Sequence, residues 1–180
     1  MKRSITMIFA FICTSFMYSQ NQAITKKDLV DSWEIMSAMV VESAKAMPAD
    51  DFNYSPGEPI RNFANQLNHT TKSNIGLGSM IFGKMPSFKM PNPQNPPQEK
   101  KAVVDILEKS FEYFKENIEA LSDESLSETI SWGRQGSGIK ITRLKGILIV
   151  FSHLQREHGK TMMYLRAKGI KPPAAGSWKF

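Results

Sequence analysis

Three histidines and one glutamate are the residues in this sequence that are best suited to binding a metal ion or to catalysis. In a helix of about 100° per residue, His153 and Glu157 lie about 40° apart and can bind one metal ion, whereas His153 and His158 lie about 140° apart. His69, in a separate helical segment, can supply a third ligand and leave coordination positions open, as catalytic metal sites do. Two imidazoles and a carboxylate favour Zn, Ni, Fe or Mn over Ca or Mg.

Each of these residues also has a purely structural interpretation. His158 shares a helix face with apolar residues, which is typical of a core histidine. His69 lies on a small, polar face that is compatible with either solvent or a polar pocket. Glu157 stands beside Arg156 and near Lys160, so it is equally compatible with a solvated charge on a helix surface.

Other catalytic motifs are weak or absent. The sequence GRQGSG at residues 133–138 resembles a phosphate-binding glycine loop only superficially, because no strand precedes it and its spacing fits neither known fingerprint. A flexible connection is the simpler interpretation. There is no GxSxG elbow, and the one cysteine, Cys13, allows neither an intrachain disulfide nor a cysteine-based metal cluster.

The N-terminus has the layout of a secretory signal peptide. Lys2 and Arg3 precede an apolar run over residues 5–18, and a polar stretch follows. The run is shorter than the roughly 20 residues of a membrane span, so we expect no membrane insertion once it is cleaved. We predict a signal peptide at residues 1–19, with cleavage as late as residue 23, and an exported protein that is periplasmic or secreted.

Composition indicates one globular domain without nucleic-acid binding. The chain has 180 residues, of which 41% are hydrophobic and 22% charged, and its formal charge is +6. Cleavage after residue 19 would remove two of the positive charges. The lysines are scattered, and no basic stripe is interleaved with aromatic residues, so binding to nucleic acid is not expected.

Four amphipathic segments must position the candidate ligands, and the prolines are concentrated between them. The spacing of apolar residues predicts helices at residues 26–46, 60–82, 98–121 and 141–168, with poor periodicity in the second of these segments. Thr25 and Asp28 have the spacing of a capping box at the start of the first helix. The proline-rich segment at residues 84–97 and the polar segment at residues 122–138 are expected to be loops. The predicted fold is all-α: a single four-helix bundle over residues 25–173, with a tail at residues 174–180.

Three stretches of the sequence resemble the DinB/YfiT-like metalloenzyme family. They are FANQLNHTTKSN, SFEYFKENIEAL and SHLQREHGKTMMYLRAKGIKPP. The resemblance covers nearly all of the chain after the signal peptide, and it implies a four-helix bundle with a crossover connection order. Members commonly carry one metal-binding histidine on the second helix and a His-x3-His pair on the fourth.

Carried onto this sequence, the family's ligand positions fall on His69, His153 and Glu157. Glu157 stands where relatives commonly have histidine, and His158 would need a local distortion such as a π-bulge to replace it. The resemblance implies a divalent-metal-dependent enzyme, either a hydrolase or thiol-transferase-like, that acts on an unidentified small molecule. It also implies a possible homodimer. The alternative is an exported, non-catalytic helical binding protein that has lost the metal site.

Overall fold

The computed structural model of the chain describes residues 23–133 and 137–174. Within these ranges the chain forms four long helices and one short hairpin. The helices are α1 (Lys26–Ala46), α2 (Phe63–Phe82), α3 (Lys100–Glu119) and α4 (Arg143–Ala167), and the strands are β1 (Thr129–Ser131) and β2 (Lys140–Thr142). The all-α prediction is confirmed. The expected signal peptide, most of the tail and the middle of the glycine motif lie outside the described residues.

The helices pack as a bundle in which neighbours along the chain are not always neighbours in space. Helices α1 and α2 each pack against both α3 and α4, which makes α1 and α2 diagonal to each other. The long connections that follow α1 and α3 cross between diagonal helices and so allow this order. The crossover topology therefore places α2 directly against α4, the two helices that carry the candidate metal ligands.

Aromatic side chains fill the centre of the bundle. Trp33 of α1 is fully buried, and its ring stacks on Phe114 of α3 at 4.2 Å between centroids. The indole Nε1 donates a hydrogen bond to the carbonyl oxygen of Phe111, 3.0 Å away. The ring packs against an aromatic side chain and the indole N–H has a hydrogen-bond acceptor on the same helix. Together these two contacts fix the position of α1 against α3.

Side-chain caps set where the helices begin. Thr25 and Asp28 form the predicted capping box of α1. Helix α2 begins at Phe63 and not at the predicted residue 60, because the Asn62 side chain accepts a hydrogen bond from the amide of Asn65 and caps the helix there. Thr142 caps α4 in the same way by accepting from the amide of Lys145.

The antiparallel hairpin is the main difference from the predicted fold. Strand β1 pairs with β2, with Ile130 opposite Ile141. Strand β1 lies in the segment that was expected to be a loop, and β2 includes residues 141 and 142, which were predicted to begin the fourth helix. Each strand has only three residues, which is too short to produce a detectable alternation of polar and apolar residues. Ile130 is packed against the core, so the hairpin covers the end of the bundle where α4 begins.

No helix among the described residues is both long enough and apolar enough to cross a lipid bilayer.

A close helix contact at Gly78 gives a first prediction. A Cβ atom at this position of α2 would lie 2.8 Å from Cε1 of Tyr113 and 3.1 Å from Cδ2 of Phe114, both on α3. We expect Gly78→Ala to lower the free energy of unfolding by about 1–3 kcal/mol, because the two rings must move to admit the methyl group. Gly76→Ala is the matched control, since a Cβ there meets nothing within 4 Å. Urea denaturation that shows equal stability for the two variants would contradict the contact.

Candidate metal centre

The structure brings His69 of α2 together with His153 and Glu157 of α4. One potential ligand atom from each residue lies within 4.8 Å of those of the other two. The contact between α2 and α4 places His69 opposite the other two residues, and the single helical turn from His153 to Glu157 places these on one face. Among the described residues, this is the cluster of histidine and acidic side chains that has the geometry to hold a metal ion.

His153 has a buried nitrogen without a partner. Its Nε2 atom is shielded from solvent and makes no hydrogen bond among the described residues. Its Nδ1 atom lies 2.8 Å from Nη2 of Arg156, and since a guanidinium only donates, Nδ1 is the acceptor. Burial lowers the pKa of His153, with a further lowering from Arg156 that the charge of Glu157 opposes. The ring is therefore neutral at pH 7, as metal binding requires.

Glu157 is a buried carboxylate with a full set of hydrogen bonds. It is 1% exposed, which excludes the solvated-charge interpretation. Lys160 donates to both carboxylate oxygens at 2.8 and 3.0 Å, Gln66 donates to Oε2 at 2.7 Å, and Arg156 donates to Oε1 at 3.2 Å. Burial alone would raise the pKa of Glu157, but the hydrogen bonds from Lys160 and Gln66 outweigh it and lower the pKa to about 2.

His69 completes the cluster from the opposite helix. Its ring lies 5.5 Å from that of His153 between centroids, at an interplanar angle of 70°. Partial burial and the nearby positive charge of Arg61 lower the pKa of His69, and Glu157 opposes them. Both imidazoles are thus neutral near pH 7, so each ring has one nitrogen with a lone pair, and in His153 this lone pair accepts the hydrogen bond from Arg156.

His158 lies apart from this cluster. It is buried on the α1 side of α4, where its Nε2 atom is 3.1 Å from Oγ of Ser43. Burial lowers its pKa. Helix α4 continues as an α-helix through His153, Glu157 and His158 without a π-bulge. The structure therefore gives His158 the position of a core histidine with a hydrogen-bond partner.

The donor set fits a divalent ion of borderline hardness. Metal–nitrogen and metal–oxygen bonds of about 2.0–2.2 Å keep any two ligands of one ion within about 4.4 Å, so the side chains must approach each other by a few tenths of an ångström. The ionised carboxylate of Glu157 is a ready ligand for such an ion. With Nδ1 accepting from Arg156, neutral His153 carries its proton on the unpartnered Nε2, so this ring binds an ion only after Arg156 is displaced. Three protein ligands leave coordination positions for water or substrate.

Gln66 is the partner of the cluster that sequence reasoning missed. It is buried on α2 and holds Oε2 of Glu157, which orients the carboxylate toward the two histidines. The available signal was its spacing: Gln66 precedes His69 by three residues and so lies on the same helix face.

Comparison with known proteins agrees with this fold. The model of the DinB superfamily matches residues 32–162. A DinB-like protein from Bacillus cereus ATCC 10987 has a similar structure, with a TM-score of 0.71 and 14% identity over 83% of this chain and 97% of that one. A DinB-like protein from Bacillus subtilis gives a TM-score of 0.64 and 17% identity, over 82% and 96% of the two chains. No curated protein matches this chain.

The family match extends over most of the described helices and includes all three residues of the cluster. The two similar structures independently support the same helical fold over more than four-fifths of the chain. This protein belongs to the DinB superfamily.

Proposed function

We propose that this protein is a divalent-metal-dependent enzyme whose ion is held by His69, His153 and Glu157. The observation that supports this most strongly is the cluster itself, in which one potential ligand atom from each of the three residues lies within 4.8 Å of those of the other two, across the contact between α2 and α4. An ion would displace the Arg156 guanidinium from His153 and would bind the ring nitrogen that is then unprotonated. When bound, the ion would supply a Lewis acid that makes water or a thiol nucleophilic at neutral pH.

The chain's own residues have separate tasks in this proposal. Gln66 fixes the orientation of Glu157 through the hydrogen bond to Oε2. Lys160 keeps the carboxylate ionised when the ion is absent. The packing of α2 against α4 sets the distance between His69 and the other two ligands before any ion arrives.

We further propose that the protein is exported and that it is a hydrolase and not thiol-transferase-like. The signal peptide expected at residues 1–19 supports export, and low-molecular-weight thiol cosubstrates are mainly cytoplasmic. Water is available in every compartment. A hydrolase is therefore the form of the proposed enzyme that is compatible with export.

A second candidate function is a non-catalytic binding protein that keeps the bundle without a metal ion. Arg156 and Lys160 favour it, because these two cations already neutralise Glu157.

Metal analysis separates the two functions. An enzyme of the proposed kind should retain about one Zn or Ni per chain by elemental analysis after dialysis, and its melting temperature should rise with added ion. Protein that contains no metal, and whose melting temperature does not change when either ion is added, would favour the binding protein.

The position of Arg156 leads to a second prediction. Its guanidinium is always charged and donates to Nδ1 of His153 and to Oε1 of Glu157, so it competes with an ion for both ligands. We expect Arg156→Gln to raise the affinity for Zn²⁺ by about 10-fold in calorimetric titration, the equivalent of one charge-assisted hydrogen bond. Arg166→Gln removes the same charge from an exposed site on α4 and should leave the affinity unchanged. A fall in affinity for Arg156→Gln would contradict the competition.

A further inference from the structure

A cavity of about 490 Å³ lies between α2 and the proline-rich segment at residues 84–97. Its walls are mainly apolar and include Ile75, Met85 and Met90. His69 lines the cavity and also belongs to the candidate metal cluster. A molecule in this cavity would therefore lie next to the cluster. The volume is within the range of small-molecule sites in proteins.

The wall of the cavity is preformed, because the proline-rich segment is anchored at both ends. Tyr113 donates a hydrogen bond to the carbonyl oxygen of Lys84 at 2.6 Å, and burial raises the pKa of this tyrosine to about 12, so it stays a donor. At the other end, Asn68 of α2 donates to the carbonyl oxygen of Pro97 at 2.7 Å. Prolines further restrict the backbone between these anchors.

The charged groups that line the cavity are of one sign, and one buried hydroxyl in the lining has no partner among the described residues. Arg61 and Lys72 are its charged lining residues apart from the titratable His69, and the lining includes no carboxylate. Neither forms an ion pair within the described part of the chain. Thr71 also lines the cavity; it is 3% exposed, and its Oγ1 has no hydrogen-bond partner among the described residues. A buried hydroxyl normally has a hydrogen-bond partner, so a polar atom of a bound ligand would complete this one.

Gly76 keeps the cavity open. It lies within α2, where glycine costs about 0.5–1 kcal/mol relative to alanine. A Cβ at this position would meet no atom within 4 Å, so packing within the protein does not require the glycine. The space that a side chain would occupy is part of the cavity wall.

We propose that this cavity binds a small organic carboxylate with an apolar body, and that this is the substrate class of the enzyme. The apolar walls take the body, Arg61 and Lys72 attract the carboxylate, and Thr71 donates a hydrogen bond to the ligand. The assignment as substrate rests on the proposed metal-dependent function. Binding of the carboxylate itself requires no ion, so the two proposals can fail separately.

The test uses 3-phenylpropionate, with 3-phenylpropan-1-ol and 3-phenylpropylamine as neutral and cationic probes of similar shape. Each is titrated into the protein in the presence of EDTA, and chemical-shift changes are followed by NMR. The carboxylate should bind saturably and at least about 10-fold more tightly than the alcohol. Arg61→Gln and Lys72→Gln should each weaken carboxylate binding about 3–10-fold. Lys89→Gln removes the same charge from the proline-rich segment outside the lining and should have no effect.

Filling the cavity provides the decisive variant. Gly76→Leu should abolish carboxylate binding while the protein stays folded by circular dichroism. Gly159→Leu is the matched control, because Gly159 is also helical, has open space at its Cβ and lies outside the cavity. The proposal is overturned if the carboxylate does not bind up to about 10 mM, if the alcohol or the amine binds equally well, or if Gly76→Leu leaves the affinity unchanged.

Discussion

Replacing Glu157 by glutamine should reduce the affinity for Zn²⁺ or Ni²⁺ by at least about 100-fold. The substitution keeps the size of a side chain that is 1% exposed and keeps an acceptor for Lys160, but it removes the charge that holds the ion. Loss of a residue that only supports a ligand typically costs 10–100-fold in metal affinity, so loss of a ligand should cost more. Calorimetric titration of metal-free protein measures the change.

His158→Gln is the matched control for this experiment. It makes the same type of substitution at the next residue of α4, on the side that faces Ser43 and away from the cluster. We expect its metal affinity to lie within about 3-fold of the unsubstituted protein, a smaller change than the loss of a supporting residue causes. If His158→Gln abolishes binding while Glu157→Gln leaves it intact, the third ligand is the histidine and the assignment from the regular helix is wrong.

Replacing Trp33 by alanine should lower the free energy of unfolding by about 3–5 kcal/mol, a large part of the roughly 5–15 kcal/mol that stabilises a typical domain. The indole is fully buried, stacks on Phe114 and Phe151, and satisfies the carbonyl oxygen of Phe111. Its removal leaves a cavity between α1 and α3 and removes one of the hydrogen bonds to the carbonyl oxygen of Phe111. Urea denaturation followed by circular dichroism measures the loss.

Trp132→Ala provides the comparison within the same chain. Trp132 lies beside the short hairpin and is only partly buried against the core. We expect its removal to cost about 1 kcal/mol, because less apolar surface leaves the interior. Equal effects for the two tryptophans would show that the centre of the bundle does not lie around Trp33.

The helices were predictable from sequence to different degrees, for physical reasons. The bounds of α1 follow from the Thr25–Asp28 capping box and from its regular apolar spacing. The start of α2 was predicted three residues early, because the cap at Asn62 depends on a hydrogen bond that hydrophobic periodicity does not report. The hairpin was missed because strands of three residues carry almost no pattern.

The candidate site was likewise predictable from the sequence only in part. The helical turn between His153 and Glu157 is a local property, so their common face could be derived from spacing alone. The approach of His69 depends on α2 packing against α4, which the predicted bundle allowed but did not specify. The burial of Glu157 could not be inferred, because Arg156 and Lys160 suggest a solvated surface until Gln66 and the facing helix are seen to enclose the carboxylate.

The measurement that tests the central claim most directly is the X-ray absorption spectrum of the protein after loading with Zn²⁺ and dialysis. We predict about one zinc per chain, with a first shell of nitrogen and oxygen atoms at about 2.0–2.1 Å and outer-shell scattering from two imidazole rings, those of His69 and His153. A protein that retains no zinc, or a bound zinc without imidazole scattering, would contradict the proposed metal centre.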